Sequence, residues 1–225
     1  MAIIKHGING GFSGKVGTVV GYNRLGKWVI RGLPELSEKA KQGTPKQKAS
    51  RSLFSKLQRF LSQTLAFVRV GFNMEGRLRQ ITAHNAAISH NMLNAFSADG
   101  EIDYKKVLFT FGNLPGALNA TVEKNDIGLH FSWTNNSSEK LAQPDDQVML
   151  LAFDGTAFEE NIAGKNLNTK KEVYYMLSGA RRKAGYETLE LPTHVKGNVL
   201  HTYISFIADD RESISISSYV GEVTY

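Results

Sequence analysis

Gly14-Lys15 is the first place in the chain where chemistry could reside, because a glycine-rich turn followed by lysine can cradle a phosphate. The surrounding residues do not complete such a loop. Asn9 stands five positions before Gly14, where a second glycine is needed, and Val16 stands where Ser or Thr would meet magnesium. Ser13, in Gly11-Phe12-Ser13-Gly14-Lys15, lacks the closing glycine of a nucleophile elbow. The histidines are His6, His84, His90, His130, His194 and His201, and no two are spaced His-x-x-x-His as a helical metal site requires. His84 and His90, six apart, would point in different directions from a helix. The absence of cysteine removes thiolate metal sites, disulfides and cysteine nucleophiles together. Asp145-Asp146 and Asp209-Asp210 read as loop carboxylates at strand ends, with no calcium-loop pattern around them. No catalytic residue, cofactor or metal is therefore expected, no small-molecule substrate is identified, and the chain reads as non-enzymatic.

Charge carries more information. Residues 1–80 hold 15 Lys/Arg against three acids, a balance of +12, whereas residues 81–225 hold 12 against 18, a balance of −6. Opposite fields on two parts of one chain select different partners. Within the basic part, Arg24, Lys27 and Arg31 surround Tyr22 and Trp28, Lys15 precedes them, and Lys46, Lys48, Arg51, Lys56 and Arg59 follow on a predicted helix. Cations neutralise phosphates and exposed aromatics stack on unpaired bases, so these eleven residues are candidate contacts to nucleic acid or to another subunit. The alternative is a solvated basic face with the aromatics buried.

The elements that must position these residues follow from pattern. The stretch 7–33 alternates glycine with β-formers, and Asn23-Arg24-Leu25-Gly26 is a turn between two such runs, predicting a hairpin whose glycines allow close backbone approach. Residues 34–43 read as a polar connector. Thr44-Pro45-Lys46-Gln47 predicts a helix start with a capping box, and Leu53, Phe54, Leu57, Phe60, Leu61, Leu65 and Val68 keep helical spacing after it. A second helix is predicted over about 79–95, separated from the first by Gly71 and Gly76, and a returning strand over 103–111. From residue 120 the period is two, in segments near 120–124, 128–134, 147–153, 186–191, 200–208 and 213–224, which suggests a β-sandwich with Trp133 and Tyr203 as core aromatics. A hydrophobic fraction of 41% suits a folded chain rather than a disordered one. No apolar run is long enough for a membrane span, and the N-terminus lacks the pattern of a secretory signal, so a cytoplasmic or virion-like location and no membrane contact are expected.

Several segments resemble an uncharacterised Bacteroidota family of similar length, a domain of unknown function. They are the opening Met1–Lys5, Gly7-Ile8 and Gly10–Tyr22, Arg31-Gly32-Leu33-Pro34, Ala83-His84-Asn85-Ala86-Ala87, Ile102-Asp103-Tyr104 with Lys106-Val107, and Tyr219-Val220-Gly221-Glu222-Val223. That resemblance implies no catalytic residues. Ser13-Gly14-Lys15-Val16-Gly17, the basic strand after it and the Thr44-Pro45-Lys46-Gln47 helix also resemble the front of small phage-associated structural proteins.

The reading is an α+β protein: a Gly-rich hairpin and two-helix module over 1–112, then a fibronectin III/immunoglobulin-like sandwich over 113–225. Its expected role is a non-enzymatic, self-assembling structural subunit, a homo-oligomer of phage-derived shell or filament type. A cytoplasmic nucleic-acid-binding protein is the first alternative and a surface adhesin or glycan-binding module the second.

Overall fold

The computed structural model describes residues 3–4, 10–33, 42–156 and 173–225. His6 and positions 34–41 of the predicted connector lie outside the described residues. The chain divides into two compact units between Ser50 and Arg51.

The first unit is a four-stranded antiparallel meander rather than a two-stranded hairpin. Its strands are β1 (Ile3–Ile4), β2 (Phe12–Val16), β3 (Val19–Arg24) and β4 (Lys27–Gly32), hydrogen-bonded in that order. The run 15–22, read as one strand, folds back at Gly17-Thr18, where Gly17 takes φ 56° and Val16 pairs with Val19. The second turn falls where predicted: Arg24 pairs with Lys27 across Leu25 (φ 50°) and Gly26 (φ 82°), the primed geometry that matches strand twist. Asn23 Oδ1 accepts from the Gly26 amide at 3.0 Å and locks that turn. Helix α1 (Pro45–Gln63) then starts on the predicted capping box, with the Thr44 amide donating to Gln47 Oε1 at 2.9 Å and the Gln47 amide donating to Thr44 Oγ1 at 3.3 Å. Such a cap contributes about 1 kcal/mol.

In the second unit the predicted helical pair is four helices: α1, α2 (Leu65–Gly71), α3 (Asn73–Arg79) and α4 (Ala83–Asn94). The apolar series from Leu53 to Val68 is thus split at buried Thr64, whose hydroxyl donates to the Leu61 carbonyl at 3.2 Å. Gly71 and Gly76 lie at the end of α2 and inside α3, not between the two predicted helices. Each meets a neighbouring backbone, Gly71 the Phe109 carbonyl and Gly76 the Ile81 carbonyl. The predicted strand at 103–111 is instead a 3-10 turn (Tyr104–Lys106) followed by an irregular run. That run finds its partners on side chains far away in sequence. Asn91, wholly buried on α4, accepts from the Leu108 amide and donates to the Leu108 carbonyl, both at 2.9 Å. Ser217 Oγ accepts from the Phe109 amide at 2.9 Å.

The period-two segments form two antiparallel sheets. One is β5 (Leu118–Lys124), β6 (Gly128–Thr134) and β9 (Tyr186–Glu190), with β6 in the middle. The other runs β11 (Ser218–Thr224), β10 (Val199–Ile207), β7 (Gln147–Asp154) and β8 (Val173–Met176). β7 and β10 are central, and β7 is buried on both faces from Val148 to Asp154. Val148, Leu150 and Ala152 point with Leu200, Ile204 and Phe206 toward Leu129, Phe131 and Trp133 of the smaller sheet. Met149, Leu151, Phe153 and Tyr203 point the other way, into a core shared with Leu57, Phe60, Phe67, Phe72 and Phe109. The unit is therefore layered helices on sheet on sheet, and its core runs across residue 112 without interruption. Trp133 and Tyr203 are both buried as predicted, on opposite faces of the four-stranded sheet.

Candidate functional site

Strand register sorts the predicted contact residues of the first unit onto two faces. Residues directly opposite in an antiparallel pair share a face. Lys15 pairs with Val20 and Val20 with Arg31, Tyr22 pairs with Val29, and Arg24 pairs with Lys27. Lys15, Arg24, Lys27 and Arg31 thus surround Tyr22 on one face, and all four cations are exposed. Trp28 pairs with Asn23 and Ile30 with Gly21, which places both on the opposite face with Val16 and Val19. The aromatic pair proposed around the cations is therefore divided, Tyr22 with them and Trp28 against them.

The apolar face explains two glycines. A Cβ on Gly11 would fall within 2.1 Å of the Trp28 ring, and one on Gly21 would meet Phe12 at 2.4 Å. The rings of Trp28 and Phe12 lie flat on backbone that only glycine leaves open. Trp28 remains 40% exposed and Ile30 61%. Among the described residues of this unit no apolar side chain is buried.

Lys46 and Lys48 are exposed on the opening turns of α1, and Arg51 and Arg59 are exposed further along it. Lys56 is different: its side chain is only 23% exposed and its ammonium is drawn into an ion pair with Glu101.

The second unit holds polar constellations that spacing alone did not reveal. Asp146, read as a loop carboxylate, is buried beneath a fully buried Arg182. The guanidinium donates from Nε to Asp146 Oδ2 at 3.0 Å, from Nη1 to Asn136 Oδ1 at 2.6 Å, and from Nη2 to the Pro115 carbonyl at 2.9 Å. Its plane sits 3.9 Å over the Phe206 ring, and Trp133 Nε1 donates to the Arg182 carbonyl at 2.8 Å. Burial pulls the guanidinium pKa down from its ordinary value, and the Asp146 carboxylate opposes that pull. Four of its five donor hydrogens are engaged once the Nη1 contact to the Gly116 carbonyl is included, so the cluster ties three loops together and leaves little for a ligand. Asp145, by contrast, is a surface carboxylate, held below its usual range by hydrogen bonds from Lys183 and Arg181. Nothing in Arg181-Arg182-Lys183 distinguishes the buried cation from its exposed neighbours.

His201 forms a second cluster. Its Nδ1 lies 3.0 Å from the Tyr219 hydroxyl and 3.7 Å from Glu222 Oε1, and its ring packs 4.4 Å from that of Tyr104. Burial and the nearby Glu222 push the Tyr219 hydroxyl up to about 12, so it stays a protonated donor at neutral pH. Among the described residues no three His, Asp or Glu side chains converge as a metal site would require, and no helix is long and apolar enough to cross a membrane.

No curated protein and no solved structure matches the chain. Residues 11–221 match the family described as "Family of unknown function (DUF6266)", and the chain belongs to that family.

Proposed function

We propose that the protein is a non-enzymatic structural subunit that self-assembles, of the shell or filament type found in phage-derived particles, with the N-terminal sheet as its contact element. One observation carries this reading. The first unit is a two-faced sheet with no buried apolar side chain among its described residues, and a small sheet draws its stability in water from packing its apolar face. Its apolar face, centred on Trp28 and Ile30, needs a partner, and a second copy supplies an identical flat face. Stacked in that way, the two sheets turn their basic faces outward, where the carboxylates of residues 81–225 in neighbouring chains, a stretch of net −6, are the complementary charges. The finer reading of the second unit is a fibronectin III-like sandwich, supported by the three-plus-four division of its strands and by Trp133 at the sheet interface.

Replacing Trp28 and Ile30 together with glutamate places two charges on the stacking face. Light scattering is expected to show the assembled mass collapsing to that of one chain, while the far-UV spectrum of the second unit persists. An unchanged assembly would remove the sheet face from the account.

A second reading rests on the gathering of Lys15, Arg24, Lys27 and Arg31 around Tyr22: the outward basic face holds single-stranded nucleic acid, inside a particle or free in the cytoplasm. Charge reversal at Arg24 and Lys27 would then weaken binding and flatten its salt dependence, since each neutralised phosphate adds to the slope.

A further inference from the structure

The second unit carries a cleft of about 420 Å³ between α2, α3 and the end of the four-stranded sheet, within the ~300–1,000 Å³ typical of small-molecule sites. Its apolar wall is made by Met74, Leu177, Ile207 and Ile214, and its rim carries Arg69 and Arg211. Ile207 and Ile214 are 4% and 1% exposed, so the wall is continuous with the core rather than a surface accident.

Several cations of this unit are paired with carboxylates. Arg77 pairs with Glu212, Arg79 with Glu75, Lys106 with Asp103, and Arg181, Arg182 and Lys183 all have carboxylate partners. Neither Arg69 nor Arg211 has an ion-pair partner among the described residues. Arg211 is nonetheless held in place. Its backbone takes φ 62° in the turn after β10, a left-handed conformation that costs a non-glycine residue free energy and is seen where a side chain must be aimed. Its Nη2 then donates to Gln147 Oε1 at 2.5 Å and to Ser178 Oγ at 2.8 Å. Those bonds hold the guanidinium at the cleft and engage Nη2 alone among its nitrogens.

We infer that this cleft binds a small organic carboxylate with an apolar body, the carboxylate held by Arg69 and Arg211 and the body laid on Met74 and Leu177. Two guanidiniums on one cleft without a carboxylate partner among the described residues, Arg211 held by Gln147 and Ser178, match a carboxylate in sign and in donor chemistry. The apolar wall behind them sets the class apart from phosphate or sulfate, which would leave it wet.

The test uses octanoate as probe on the full chain, followed by amide NMR or calorimetry, with octanol and acetate as the two halves of the ligand. Octanoate is expected to bind saturably and at least about tenfold more tightly than either half, and Arg69→Gln and Arg211→Gln each to weaken it by about tenfold or more. Arg69 is exposed, so its variant is expected to melt with the parent protein, and it keeps the test meaningful should the Arg211 turn be disturbed. Octanol binding as well as octanoate would show that the charge is not read. Acetate binding as well would reduce the site to an adventitious anion contact. Saturable binding that survives both substitutions, or no saturable binding at all, would overturn the inference.

Discussion

Replacing Arg182 with methionine is expected to destabilise the second unit by about 3–5 kcal/mol, the largest single effect in the molecule. Methionine fills much of the space over Phe206, so the loss is not one of packing. It comes from Asp146, left charged and buried, and from the Pro115 carbonyl and the Asn136 amide oxygen, which lose their donors together, while the Gly116 carbonyl keeps Asn136 Nδ2. Exposed pairs such as Arg181–Asp145 contribute far less, because solvent already satisfies both partners. The same reasoning predicts a partial rescue: adding Asp146→Leu to Arg182→Met removes the orphaned charge and should recover a part of the loss. Urea denaturation followed by Trp133 fluorescence, with Trp28 changed to phenylalanine, reads this unit alone, since the chain has only these two tryptophans. A loss below about 1 kcal/mol for Arg182→Met would mean that water reaches the cluster.

The second large effect is expected at Gly71. In a helix interior, glycine to alanine ordinarily stabilises by up to ~1 kcal/mol. Here the added methyl would sit 2.1 Å from the Phe109 carbonyl oxygen and 2.7 Å from Thr110 Cγ2. The closest atom belongs to backbone, which cannot swing aside as a flexible side chain can. The Phe111 amide also donates to the Gly71 carbonyl at 3.0 Å, and Thr110 Oγ1 donates to the Ser215 carbonyl at 2.7 Å. Moving the 109–111 run away from α2 therefore breaks buried hydrogen bonds as well as packing. Gly71→Ala is expected to cost roughly 3 kcal/mol, reversing the helix-propensity gain. Equal or higher stability in the same denaturation assay would show that the close approach is relaxed at no cost.

These two sites also mark where sequence stopped being informative. Local signals were legible: the capping box at Thr44 and Gln47, the turn at Leu25-Gly26, and strand β6 at 128–134 all stand where short-range pattern puts them. Each depends on neighbours within a few positions. What pattern missed depends on distant partners. Gly71 looked like a helix break because glycine usually is one, but it is small because the Phe109 backbone crosses it, whereas Gly76 meets the nearby backbone of Ile81 and Ala83. The 103–111 run had strand-like composition, yet Asn91, Ser215 and Ser217 take its hydrogen bonds in place of a ladder. Strand β8 (Val173–Met176) is only four residues long and follows Lys170 and Lys171, so its alternation was hidden. Among the candidate contacts, Lys15, Arg24, Lys27 and Arg31 share one face of the N-terminal sheet, and only register separates Tyr22 from Trp28. A lone Arg182 inside a basic triplet, or Arg69 and Arg211 separated by more than a hundred positions, has no local signature.

The most direct test of the self-assembly account is light scattering on size-separated, full-length protein purified without nuclease, with absorbance at both 260 and 280 nm across the peak. The account predicts a mass several times that of one chain at tens of micromolar, reduced to a single chain by the Trp28→Glu, Ile30→Glu pair. A raised 260-to-280 ratio in the assembled peak would place nucleic acid on the outward basic face. A monodisperse single chain at the same concentration would contradict the account, because the N-terminal sheet would then keep its apolar face without a second copy.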